Sequence, residues 1–223
     1  MDAEPGSAAL GIFVAPGALG ITLGTLAARL DSVMVLPLTL FLILLALVVN
    51  RLPGKPQERQ EEVNSSFSLI SSVCLFLVVI LRSFAGFTWP LPWKVQALIP
   101  LTLAAAGGKA AGGIAADLWG LEKTARVSLG LSFFCFWISN GMITGLAGVF
   151  LFNMTMPLCL KQMHRQFPQH AGFAFGFLTF ALFLGFVPVI LGITAVTKAQ
   201  MLILIALSWL VLCLAFRWGH NHA

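Results

Sequence analysis

Charge is scarce in this chain. Only 9% of its residues are Asp, Glu, Lys or Arg, against about 25% in a soluble globular domain. So few charges cannot cover a water-facing surface, and with 59% hydrophobic residues most of the surface must face lipid. The four cysteines, Cys74, Cys135, Cys159 and Cys213, sit singly inside apolar runs with no CxxC pair. That excludes a disulfide framework and zinc-ligand spacing, and leaves them as small buried hydrophobes. The sequence holds no Ser/His/Asp set, no glycine-rich nucleotide loop after a strand and no HExxH, so no enzyme activity and no cofactor are expected. His164, His170, His220 and His222 lie in loops or the tail, and no metal site is expected from them. The net charge of +5 is small and dispersed, which argues against nucleic acid as a partner. Met1 to Glu4 are acidic where a cleavable secretory signal is basic, so targeting is expected to rely on the first span.

What is present is a series of long apolar runs, at about 8–28, 32–50, 67–88, 95–116, 126–140, 142–160, 171–193 and 199–217. A membrane crossing needs about 20 apolar residues in a helix. These segments are too long and too uniformly apolar for barrel strands. The fold class expected is all-α, a polytopic bundle of about eight spans whose principal partner is the lipid bilayer. Ser139-Asn140-Gly141 reads as the turn that divides the fifth span from the sixth. One set of loops carries Arg51, Lys55, Arg59, Lys123, Arg126, Lys161, Arg165 and Arg217, and the opposite set only Arg29, Lys94 and Lys198. The positive-inside rule then places both termini in the cytoplasm of a bacterial-type inner membrane. Trp89 and Trp93 are expected at the outer interface, and Trp119 and Trp218 at the inner one. Residues 1–50 form a two-span N-terminal part, 51–66 a polar cytoplasmic linker and 67–223 a six-span part. Asn64-Ser65-Ser66 matches a glycosylation sequon on the cytoplasmic side, and is read as chance.

Glycines recur at four-residue spacing inside the spans, as Gly20 and Gly24, Gly108 and Gly112, Gly141 and Gly145, and Gly172 and Gly176. That spacing puts both on one helix face and permits close helix packing. Two stretches are more specific. Gly107 to Arg126, GGKAAGGIAADLWGLEKTAR, resembles the signature loop of the major facilitator superfamily, roughly G-x-x-A-D-x-x-G followed by a basic pair. Gly113, Ala116, Asp117 and Gly120 match, while Leu121 and Glu122 replace the basic pair and Lys123 and Arg126 lie downstream. Gly11 to Gly20, GIFVAPGALG, resembles the glycine-proline signature of that superfamily's antiporters, with Gly11, Pro16 and Gly20 matching and Ala15 and Leu19 in place of glycines. The order of the two resembles the last eight spans of a twelve-span member. The resemblance implies alternating access, a gating loop built from Gly113, Asp117, Gly120, Lys123 and Arg126, and an inverted 3+3 arrangement in the six-span part. Eight spans do not make two six-helix halves, so a homodimer or a separately encoded membrane partner is expected.

Polar groups at membrane depth mark candidate solute contacts. Arg82 lies three-quarters along the third span and Lys109 in the inner half of the fourth. A cation at the bilayer centre costs at least about 2.5–3.5 kcal/mol, so such groups usually face an interior cavity. The functional reading is a site for a small anionic solute, and the competing one is snorkelling to the headgroups. Asn153, Thr155 and Pro157 interrupt the sixth span, and Pro16 and Pro188 mark further candidate kinks. None of the eight acids, Asp2, Glu4, Asp31, Glu58, Glu61, Glu62, Asp117 and Glu122, lies at mid-membrane, which argues against a carboxylate proton relay. The sequence thus points to a membrane transporter or transporter subunit for a small, anionic solute. The alternatives are a non-transporting interaction, assembly or regulatory protein, and a lipid-handling membrane protein.

Overall fold

The computed structural model describes residues 6–27, 36–37, 39–41, 43–44, 47–48, 68–138, 141–193 and 196–220. Linker 51–66 and much of the expected second span lie outside the described residues. Among the described residues the elements are helical, with no strand. They are α1 (Ser7–Val14), α2 (Pro16–Ala27), α3 (Leu69–Thr88), α4 (Leu98–Trp119), α5 (Leu121–Ile138), α6 (Met142–Asn153), α7 (Thr155–Gln166), a 3₁₀ turn at Pro168–His170, α8 (Ala171–Ile190) and α9 (Lys198–His220).

Among the described residues, six segments are long and apolar enough to cross a membrane: Ser7–Gly24, Leu69–Thr88, Leu98–Trp119, Met142–Gln166, Pro168–Ile190 and Lys198–Gly219. The fifth expected span is the helix α5. It carries Glu122, Lys123 and Arg126 in its first two turns and is therefore not among the six.

The breaks follow from local chemistry. Pro16 has no N–H to donate to the preceding turn, so α1 and α2 meet at Ala15 and Pro16 occupies the first helical position of α2. Gly120 holds φ +89° at the end of α4, its N–H bonded to Ala116 O at 2.9 Å, which allows the immediate reversal into α5. Pro157 follows the turn at Met154 that separates α6 from α7. There the Thr155 hydroxyl donates to Phe152 O at 2.8 Å and the Asn153 amide to Val149 O at 2.9 Å, so side chains satisfy carbonyls around the break. Pro188 lies within α8 near its end.

Neighbouring helices run α8, α3, α9, α5, α6, α4 and α1 around the bundle, with α2 also on α4. Helix α7 sits among them and touches α1, α3, α4, α5 and α8. Its central place shows in burial: every residue from Met154 to Met163 is buried, Lys161 and Gln162 included. The positive-inside count places Lys161 in a loop, whereas the helix continues to Gln166 and keeps Lys161 inside it. The core is built from Leu75, Val78 and Val79 of α3, Leu129 and Phe136 of α5, Phe152 of α6, Leu158 and Met163 of α7, and Met201, Ile205 and Leu212 of α9.

Polar contacts join helix termini at each end. At one end, Gln166 donates from Nε2 to Ser71 Oγ (2.7 Å), Ser72 donates to Gln166 Oε1 (2.5 Å), and Ser71 donates to Ala215 O (2.9 Å). At the other, Lys198 Nζ donates to Trp137 O (3.0 Å) and Lys94 Nζ to Phe87 O (2.6 Å). Trp89 departs from the expected interfacial belt. It is buried, with its ring 4.5 Å from Phe136 and 5.2 Å from Phe152, because the space between α5 and α6 needs a large apolar group. Trp93 packs against Gly145. Trp119 and Trp218 are exposed near helix ends.

Candidate functional site

Two clusters gather the expected functional residues. The first is at the junction of α4, α5 and α1. Asp117, in the last turn of α4, accepts the backbone N–H groups of Ser7 (Oδ1, 2.8 Å) and Ala8 (Oδ2, 2.8 Å) at the start of α1. No side chain of α1 caps that end, and Gly6 precedes it. A carboxylate from another helix therefore satisfies donors that α1 leaves open, and its negative charge faces the positive end of the helix dipole.

Gly113, one turn before Asp117, lies against Ser7 O and the Cα of Gly11. Gly11 in turn lies against Lys109 O and Ala110 O. A Cβ at either glycine would strike backbone, so the close approach of α1 to α4 depends on both. Gly120 supplies the turn just beyond. Lys123 is exposed. Arg126 is tied to Glu122 at 3.2 Å within its own helix and does not reach across to α1. Thus Gly113, Asp117 and Gly120 take direct part in this junction, and Lys123 and Arg126 do not.

The second cluster is central. Arg82 of α3 is 6% exposed and donates from Nη2 to Asn153 Oδ1 of α6 at 2.6 Å. Its guanidinium carbon lies 5.7 Å from the centre of the Phe152 ring, in cation–π range. Its Nε is buried without a hydrogen-bond acceptor among the described residues. Lys109, on α4, is half-buried and follows Gly108, whose Cβ position lies against the Asn153 Cβ. The structure therefore pairs Arg82 with Asn153, sets Lys109 next to the glycine that meets Asn153, and excludes a lipid-facing, snorkelling Arg82. The glycines of α4 permit this. Gly108 lies against Phe150 O and the Asn153 Cβ, and Gly112 against the Met154 backbone, which presses α4 onto the α6–α7 break.

Pro157 and Pro16 shape these clusters without entering them, since one sits just past the break and the other just past α1. Pro188 lies on α8, in neither cluster. Ser7, Ala8 and Phe152 were not singled out from the sequence. Backbone donors carry no sequence signature. Phe152 is one of 19 phenylalanines, and only its neighbours distinguish it. No family model, no curated protein and no solved structure matches this chain.

Proposed function

We propose that this chain is a multi-pass membrane transporter, or a subunit of one, that moves a small solute by alternating access. The observation that carries the reading is the Asp117 clamp. Two stretches that separately resemble major facilitator signatures, Gly11–Gly20 and Gly107–Arg126, meet in space, with Asp117 on the amides of Ser7 and Ala8 and Gly113 against Gly11. A carboxylate on open helix amides is a contact that forms or breaks as a unit, as a latch between alternating states requires. In this reading the chain crosses a bacterial-type inner membrane about eight times, with both termini and the clamp on the cytoplasmic side. The solute cavity is completed by a second copy or a separately encoded membrane partner.

The clamp and the assembly are tested together. The full chain is purified in nanodiscs, with its four cysteines replaced by alanine and a single Ser7→Cys reporter. Native mass spectrometry gives the assembly, and an impermeant maleimide reports opening. A dimer or hetero-complex is expected, with labelling of the reporter several-fold faster when Asp117→Asn weakens the clamp. A lone monomer whose labelling ignores Asp117→Asn defeats the reading.

One observation favours a non-transporting regulatory role instead. The displaced basic residue Arg126 is held by Glu122 in its own helix, so the basic half of the family's loop contributes nothing across the junction. A defined copurifying membrane protein, together with flux that requires that protein and not this chain, is the outcome for that role.

A further inference from the structure

We infer that the Arg82–Lys109–Asn153 cluster is a binding site for an oxyanion, a carboxylate or phosphate group, taken up on the free edge of the Arg82 guanidinium with Lys109 as the second cation. The inference rests on the transport reading only for what the site serves. The binding itself follows from charge and geometry.

Buried cations are normally matched by acids. Between Val63 and Ala116 the sequence has no Asp or Glu, and none from Lys123 to Ala223. The acids among the described residues are committed elsewhere, Asp117 to the start of α1 and Glu122 to Arg126. Arg82 is thus enclosed with a neutral amide and a phenyl ring, and Lys109 follows the glycine that meets the Asn153 Cβ.

The hydrogen bonding points to the same missing charge. A guanidinium is a planar fork of five N–H donors that suits paired oxygens. Asn153 occupies one Nη2 position, and Phe152 lies near the guanidinium carbon. The Nε donor stays buried and unmatched, a costly state that an anionic oxygen would relieve. Asn153 is itself fixed, because its Nδ2 donates to Val149 O. It therefore holds the guanidinium in place and acts as a positioning residue. Lys109 and Asn153 are half-buried, and Arg82 is buried behind Asn153.

The test uses the full chain in zwitterionic nanodiscs, titrated calorimetrically at fixed ionic strength with inorganic phosphate and with acetate, against chloride and a neutral sugar. Saturable binding of phosphate or acetate is expected. Arg82→Gln should weaken it about ten- to hundredfold, the scale of one lost charge-assisted hydrogen bond. Lys109→Gln should weaken it less, and Lys123→Gln, at the exposed end of α5, not at all. If Arg82→Gln does not fold, Lys109→Gln and Asn153→Ala carry the same comparison. No saturable binding of either probe, or binding indifferent to these changes, overturns the site. Anionic-lipid nanodiscs identify the source of the ligand: competition by the lipid supports the site and assigns it to headgroups, and undiminished binding assigns it to a free solute. Anion binding without phosphate or acetate entry into proteoliposomes keeps the site and removes the transport reading. Flux of a neutral solute with no anion binding does the reverse.

Discussion

Helices α4 and α8 are both long, apolar and marked by glycines at four-residue spacing, yet the structure uses those glycines in opposite ways. On α4, Gly108 and Gly112 meet the backbone of the α6–α7 break, and Gly113 on the adjacent face meets α1. One short run, GGKAAGG, thus packs two neighbours at once. Among the described residues, Gly172 and Gly176 of α8 have open space where a Cβ would go, whereas Gly185 is pressed against Ile80 O and the Cβ of Ser83. Gly20 and Gly24 of α2 are open in the same way among the described residues. Four-residue spacing marks a face that can be approached closely. Whether another helix takes that face depends on which elements the topology brings there.

Three substitutions test this contrast. Gly112→Ala should have the largest effect, because its Cβ would meet the Cα and carbonyl of Met154, and backbone cannot step aside as a flexible side chain does. A loss of about 1–3 kcal/mol is expected, at the upper end of that range, read as a lowered unfolding midpoint in detergent. It should also disturb the cluster, since α4 carries Lys109 and abuts Asn153 through Gly108. A midpoint unchanged from the parent would show that the two helices separate at little cost.

Gly185→Ala comes next. Its Cβ would meet Ile80 O and the Ser83 Cβ, neither free to step aside, but its third neighbour lies farther off than at Gly112, so about 1–2 kcal/mol is expected from the same overpacking. The readout that sharpens the comparison is the α3–α8 contact, followed by hydrogen exchange of α8. Added exchange confined to α8 is expected, and exchange spread equally over α4 would show that the helices are not independently packed.

Gly176→Ala should be the smallest, within about 0.5 kcal/mol for the isolated chain. The same variant is informative in the assembly. An unchanged monomer with a weakened oligomer would identify this open face as a place where a second bundle sits, and no change in either would leave it facing lipid.

Much of the fold was legible in the sequence. The low charge and the long apolar runs specify crossing helices, since a backbone in lipid must satisfy its own polar groups. The turn at Gly120 and the break near Pro157 were legible too, because glycine at positive φ and proline without an N–H are local constraints. Side-chain destinations were less so. Trp89 lies at a helix end, where tryptophan commonly anchors in headgroups, but a gap beside Phe136 and Phe152 draws it inside. Lys161 counts as a loop cation by sequence and is buried in α7, the helix that six-span packing places at the centre. The candidate sites divide in the same way. Arg82, Lys109 and Asp117 stand out as charges at or beside apolar segments. Their contacts join residues about 70 to 110 positions apart in the chain, and no local pattern encodes such pairings.

By itself, then, the sequence determined that this chain is a helical membrane protein, where its helices turn, and which few charges need an explanation. These follow from local physics: transfer of side chains to lipid, backbone hydrogen bonding and allowed dihedral angles. The tertiary structure decided which charges meet and which are satisfied. It set Asp117 on the open amides of α1 and brought Arg82 to Asn153, with no acid beside them among the described residues. Those outcomes depend on the energy of whole faces packing together, where glycines on the lysine's own helix set how closely it packs on the helix that carries Asn153.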